Sequence, residues 1–353
     1  MKKRLTRLTA LLLGASMLSA CSFDTTVKKA ASESNSANAS NSASVSSVSA
    51  TEASSTVSSL EASTADIAAN ASTEASSTEQ VDTASESSTT VLNDPTGDGQ
   101  VVIVFLGDSQ FANGREDGTS ISDLVHNSTG YTVYNLGCGG TTASTKVGEQ
   151  YQYSDASFYN VSEFLNGRGD SSIFDYYGVA DIANSIDPAK VDYYVVEYGV
   201  NDFLSNRPQA DTTDSKNVSC YVNAMHVALF QLSQASPKAR IVCCSPIYCQ
   251  FWGKDGAFLG DGNMYHNSYA TYEEYAGNCI QTAENEGCII FDAYHGRFMD
   301  LDTYTAKDYL AEDGIHLTPR GRKVFAAVVT HLINRQLGLD DTYLDNPYKI
   351  DNY

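Results

Sequence analysis

"VVIVFLGDSQFANG", residues 101–114, opens with six apolar residues and changes character sharply at Gly107-Asp108-Ser109. The β-branched run has the length of a strand, and its unbroken apolar pattern belongs to a strand covered on both faces. Ending such a strand on Asp-Ser sets a hydroxyl at the rim of a sheet. A loop makes no such demand. A nucleophile does, because it needs a fixed perch with a base in reach.

The same kind of run recurs at Tyr131–Leu136, Val191–Tyr198, Arg240–Ser245 and Cys288–Asp292. Between these runs lie stretches with helical spacing. Residues 218–236 carry Val222, Met225, Leu229 and Leu232 at helical intervals, and Tyr269–Glu286 forms a second such stretch. A third begins with Thr318 as N-cap and Pro319 as first helical residue, and stops at Gly338. Apolar strands alternating with helices predict an α/β fold, a parallel sheet of about five strands between helical layers. Residues 98–353 form one domain of sensible size, without internal repeat. Two stretches look inserted after strand ends: the Tyr-rich 144–188, and 247–275 with Tyr248, Phe251, Trp252, Phe258 and Tyr265. Their aromatics either cover the core, the plainer expectation, or offer a surface on which sugar rings stack. Arg168-Gly169-Asp170 is too short to count as an adhesion signal.

Residues 1–21 have the parts of an export signal. Lys2, Lys3, Arg4 and Arg7 form a basic start, Leu8 to Leu18 an apolar core, and Ser19-Ala20 a small-residue cleavage site. Leu18-Ser19-Ala20-Cys21 resembles a bacterial lipobox, which implies that Cys21 becomes the lipidated first residue. The apolar core is shorter than the ~20 residues of a membrane span. Residues 22–97 are mostly Ser, Ala, Thr and Glu. That composition buries too little apolar surface to offset chain entropy, so a disordered tether is expected, with an r.m.s. span of about 50 Å. Together these segments predict an extracytoplasmic protein at a bacterial cell surface, in contact with the membrane through Cys21 alone.

The chain carries a formal charge of −21, and beyond residue 100 there are 16 Lys and Arg against 32 Asp and Glu. Without a basic patch to release counterions, nucleic acid is excluded as a partner. Seven cysteines follow Cys21: Cys138, Cys220, Cys243, Cys244, Cys249, Cys279 and Cys288. An odd number leaves at least one unpaired, and Cys243 and Cys244 read as core filler. No C-x-x-C pair occurs, so no structural zinc is expected. Neither a dinucleotide-type nor a P-loop glycine motif is found, so no cofactor is expected.

In an open parallel sheet the site forms at the carboxyl ends of the strands. There the sequence places Gly107-Asp108-Ser109, the glycine-rich "NLGCGGTT" (135–142), Gly199-Val200-Asn201-Asp202 and "EDGIHLTPRG" (312–321). A serine hydroxyl needs a base, and His316 titrates in the right range. Asp313, three residues earlier, can fix the tautomer of that histidine. The Ser109 N–H, a glycine-turn N–H and the Asn201 amide are candidate donors to an oxyanion. His126, His226, His266, His295 and His331 have no comparable partners in the sequence and read as structural or surface residues.

This order of motifs resembles the SGNH (GDSL-like) hydrolase superfamily, from Val101 to about Leu339. The resemblance implies a flavodoxin-like three-layer α/β/α sandwich with Ser109 as nucleophile, Gly140 and Asn201 at the oxyanion, and Asp313 and His316 completing the triad. It also implies an esterase, lipase or carbohydrate deacetylase that needs no metal. Gln110 departs from the leucine often found there, and Gly139 from the usual serine. The expected activity is hydrolysis of short-acyl esters, including O-acetyl glycans, through an acyl-enzyme. Transfer of the acyl group to a glycan hydroxyl and non-catalytic glycan binding are the alternatives.

Overall fold

The computed structural model describes residues 92–149 and 152–353. The expected leader, Cys21 and residues 22–91 of the expected tether lie outside the described residues. In chain order the strands are β1 (Val102–Gly107), β2 (Thr132–Asn135), β3 (Tyr193–Glu197), β4 (Arg240–Cys244), β5 (Gln250–Trp252), β6 (Phe258–Asp261) and β7 (Ile289–Phe291). The helices are α1 (Ser109–Ala112), α2 (Ile121–Thr129), α3 (Phe158–Leu165), α4 (Ala180–Ser185), α5 (Val200–Leu204), α6 (Tyr221–Ala235), α7 (Tyr272–Asn285), α8 (Ala306–Tyr309) and α9 (Pro319–Leu337).

The five expected apolar runs all become strands of one parallel sheet, ordered β2-β1-β3-β4-β7. Counting only these strands, the order is 2-1-3-4-5, the flavodoxin-like arrangement whose crevice opens between the first and third strands. All five residues of β3 are buried, which is why its sequence runs apolar without alternation. Helix α2 packs on α9, while α3 and α7 pack on α6, so helices flank the sheet in a three-layer α/β/α sandwich. Helix α9 begins and ends as its sequence predicts, with Thr318 accepting from the Gly321 N–H and Gly338 in the left-handed conformation. Helix α2 opens on a capping box between Ser120 and Asp123.

Two features depart from expectation. Residues 92–97 read as the end of the tether, yet they are fastened to the domain. Leu92 packs against the core, the Asn93 N–H donates to the Leu337 carbonyl, and the Thr96 N–H donates to the buried Asp192. The second feature is the antiparallel hairpin β5–β6, whose three- and four-residue strands are too short to show a period in sequence. All seven cysteines of the domain are free thiols, and Cys243 and Cys244 fill core as expected.

The turn from β1 into α1 is held by packing. A Cβ at Gly107 would lie 2.5 Å from the Phe111 ring and 2.9 Å from the Glu197 carbonyl, so only glycine allows this approach. Phe111 is fully buried against Phe105 and Phe325, with ring centroids 5.1 and 5.9 Å away. Truncating it should cost about 3–5 kcal/mol. Urea titration of Phe111→Ala should show that loss as a lower midpoint with unchanged slope. A loss below about 1 kcal/mol would show that this ring does not anchor α1.

Candidate active site

Ser109 is the first residue of α1, directly after the Asp108 N-cap, whose carboxylate accepts the Gln110 N–H at 3.0 Å. Its hydroxyl lies 2.8 Å from His316 Nε2, across 207 residues of chain. His316 Nδ1 lies 2.5 Å from Asp313 Oδ2. A carboxylate only accepts, so Nδ1 carries the proton and Nε2 is left to accept from Ser109. Asp313 Oδ1 also accepts the N–H groups of Ile315 and His316, at 2.9 and 3.0 Å, which winds the loop into a tight turn. The sequence pattern Asp-x-x-His in fact occurs three times, and in the first of these, Asp123 and His126, the histidine Nδ1 meets the Tyr131 carbonyl at 2.7 Å. Asp292 and His295 repeat the Nδ1 contact at 2.9 Å, but His295 Nε2 faces Glu273 at 3.1 Å instead of a hydroxyl.

His316 is raised above its ordinary range by the hydrogen bond to Asp313, against the opposing effect of burial. Burial works upward on Asp313, but the bonds from His316 and the loop N–H groups outweigh it and hold the carboxyl at about 2. In its neutral form the imidazole can take a proton from Ser109, beside an anion that stabilises the resulting imidazolium. The rim stays open: the side chains of His316 and Asp313 keep 31% and 47% of their surface exposed.

Gln110, which the sequence marks only as a departure from leucine, braces the histidine loop. Its buried side chain donates from Nε2 to the Ile315 carbonyl at 2.8 Å and accepts the Leu317 N–H on Oε1 at 3.2 Å. These two bonds bracket His316. On the other flank the Gln250 N–H donates to the Gly314 carbonyl at 2.8 Å. Gly314 has φ +72, and a Cβ there would strike the Gln250 carbonyl, so glycine is required.

The glycine turn is held by Asp202, the residue after Asn201. Its buried carboxylate accepts from Ala143 N, Ser144 N and Ser144 Oγ at 2.7, 3.0 and 2.6 Å. Gly139 is the glycine beside Ser109, its Cβ position 3.8 Å from the serine Cβ, and Gly140 follows in left-handed conformation. The N–H groups of Ser109 and Gly140 take no partner among the turn and loop hydrogen bonds. Asn201 reaches the same rim, but both amide hydrogens are engaged, with Asp108 Oδ2 at 2.9 Å and the Thr141 carbonyl at 3.0 Å. It ties the strand ends together here, and an oxyanion would have to displace one of these acceptors.

Beneath the serine lies a buried carboxyl that sequence reading missed. Neither oxygen of Glu197 has a hydrogen-bond partner. Burial first, then the adjacent Asp108 charge, push it well above the carboxylate range. Two bare carboxylates cannot bond to each other, but protonated Glu197 can donate to Asp108. Asp108 itself is raised to about 6, chiefly by burial.

The model of the GDSL-like lipase/acylhydrolase family matches residues 105–324. This chain belongs to that family. The match runs from the second half of β1 through the other four strands of the sheet and includes both Ser109 and His316. No curated protein matches the chain. One solved structure aligns with a TM-score of 0.51 at 19% identity, over 67% of this chain and 97% of its own, a likeness of fold. A possible lipase from Chitinophaga pinensis is 19% identical, covering 68% of this chain and 100% of that one, with a TM-score of 0.46. A carbohydrate acetylesterase from Sinorhizobium meliloti is 13% identical over 67% and 99% of the two chains, with a TM-score of 0.44.

Within this GDSL-like domain the remaining histidines are more partnered than the sequence suggests. His226 and His331 contact Glu286 and Asp340 at 2.6 and 2.8 Å, but these pairs include no nucleophile. Gln110 is the more consequential omission. Its only sequence signal is its place next to the serine. Gln110→Leu keeps the volume but leaves the Leu317 N–H unpaired and the Ile315 carbonyl with only the weak Cys249 thiol at 3.9 Å, at roughly 1–3 kcal/mol. Amide hydrogen exchange at Ile315–Leu317 should accelerate accordingly. Unchanged exchange would show that the loop holds itself.

Proposed function

We propose that this protein is a serine esterase that removes short acyl groups from glycans through an acyl-enzyme, working outside the cytoplasm and held to a membrane by lipidated Cys21. The observation that carries the catalytic part is the relay from Ser109 Oγ through His316 to Asp313, at 2.8 and 2.5 Å. Ser109 attacks the ester carbonyl and its proton passes to His316 Nε2. The oxyanion is held by the unpartnered N–H groups of Ser109 and Gly140, and Asn201 joins when the substrate oxygen replaces the Thr141 carbonyl as acceptor. Collapse breaks the bond to the alcohol oxygen, which leaves with the proton from His316. Water then attacks the acyl-enzyme with His316 again as base, releasing the acid and restoring Ser109.

Membership of a family of acylhydrolases supports ester hydrolysis. The glycan substrate and the surface location rest on the leader, the tether composition and the acidic balance of the sequence. A tethered, negatively charged domain suits neutral polymers around the cell better than anionic lipid.

The test is hydrolysis of p-nitrophenyl esters from acetate to octanoate. The parent should turn over acetate best, and Ser109→Ala, shown to be folded, should lose on the order of 10⁴-fold or more. A folded parent that cleaves none of these esters, or full activity in the variant, sinks the reading.

The pH profile gives a second check. His316 acts as base only when neutral, so kcat/KM should fall with acid through a pKa above the ordinary 6.5. Asp313→Asn removes the largest upward cause, so the acid limb should move to lower pH while kcat drops on the order of 10⁴-fold. An acid limb that stays in place would mean that Asp313 does not set the titration of His316.

A further inference from the structure

The aromatic residues of the 247–275 insertion do not share one environment. Tyr248 and Phe251 are buried, and Phe251 packs among Phe203, Tyr265 and Tyr272. For these the plainer expectation, covering the core, is correct. Trp252 and Phe258 are different. Strand alternation turns them to the opposite face of hairpin β5–β6, where 47% and 50% of their surfaces are exposed. Their rings pack on each other with centroids 5.0 Å apart, forming one aromatic patch. The hairpin sits directly on the histidine loop. The Cβ position of Gly314 is 2.9 Å from Trp252 Nε1 and 3.0 Å from its Cδ1. Gly314 lies between Asp313 and His316, so the patch adjoins the imidazole side of the site.

That side has a defined occupant. The alcohol oxygen must stand within reach of His316 Nε2 to receive its proton, while the carbonyl oxygen faces the glycine turn. We infer that Trp252 and Phe258 form the subsite for the alcohol half of the ester, and that this alcohol is a pyranose ring stacked on the exposed rings. The inference rests on the esterase reading and deepens it by naming the residues that hold the alcohol half at the same site. A pyranose presents an apolar face of C–H groups ringed by hydroxyls. The patch offers flat aromatic surface for that face, and the exposed Lys254 and Asp255 follow Trp252 in the hairpin turn while the exposed Glu312 precedes the triad aspartate.

Trp252 is the only tryptophan in the chain, so its fluorescence reports this subsite alone. Ser109→Ala protein, titrated with glucose pentaacetate, should show a saturable emission change that ethyl acetate does not produce. Kinetics on the active protein should agree. Trp252→Ala should raise KM for glucose pentaacetate about tenfold with kcat nearly unchanged, leave ethyl acetate turnover unaltered, and be largely rescued by Trp252→Phe. An equal loss on ethyl acetate would overturn the inference, because Trp252 would then only support the loop. A loss confined to ethyl octanoate would overturn it in favour of an acyl-chain subsite, and no change in either readout would also overturn it. If the parent cleaves no ester, the esterase reading fails separately, and the fluorescence titration still decides whether the rings bind the sugar.

Discussion

The site depends on holding one loop in place. His316 sits in a segment with no helix or strand of its own, yet its imidazole must stay within 2.8 Å of a hydroxyl fixed to the sheet 207 residues earlier. A displacement of about 1 Å in such a geometry costs on the order of 10²-fold in rate. The chain fixes the loop from three directions. Asp313 winds it internally, Gln110 bonds to the backbone on both sides of His316, and the hairpin takes up the Gly314 carbonyl. Gln110 adjoins Ser109, so nucleophile and base are referenced to the same turn of α1. Movement of that turn carries both partners together.

Beneath the rim, three buried carboxyls set the floor: Asp108, Glu197 and Asp202. Burying them is costly unless each is bonded or neutralised. Asp202 is satisfied by the glycine-turn N–H groups, and burial still raises it to about 6. Asp108 is bonded to the Gln110 N–H and to Asn201, and Glu197 takes the proton that lets it approach Asp108. The bonds of Asp202 and of Asn201 also join a strand end to a loop or to another strand end. The polar floor therefore locks the relative positions of β1, β3 and the glycine turn, which an apolar floor would leave to less directional packing.

Much of this was legible in the sequence, for identifiable reasons. The sheet strands announce themselves because burial on both faces removes polar alternation, and α9 because its cap and stop are local to the chain. Ser109, Asp313 and His316 were legible because strand ends in this fold converge on one rim. What escaped was whatever depends on a distant partner. Gln110 bonds across more than 200 residues, and Asp202 across nearly 60 to the glycine turn. The second Asp-x-x-His, at Asp292 and His295, shows the limit from the other side. That motif and the triad's differ in what Nε2 faces, and only the fold supplies that.

The hairpin marks the same boundary in a different form. Its sequence offered three aromatic residues, Phe251, Trp252 and Phe258, without saying which face each would take. Phe251 and Trp252 are neighbours, yet one is buried in the core and the other lies on the surface, because a strand alternates sides with every residue. A register shift between them bends the strand against its partner and helps set where the exposed rings end up. An insertion that merely thickened the core would gain nothing from leaving an indole and a phenyl ring half-exposed. Placed where they are, the rings extend the site on the histidine side. The same hairpin that steadies the base thereby shapes the space into which the leaving alcohol must fit.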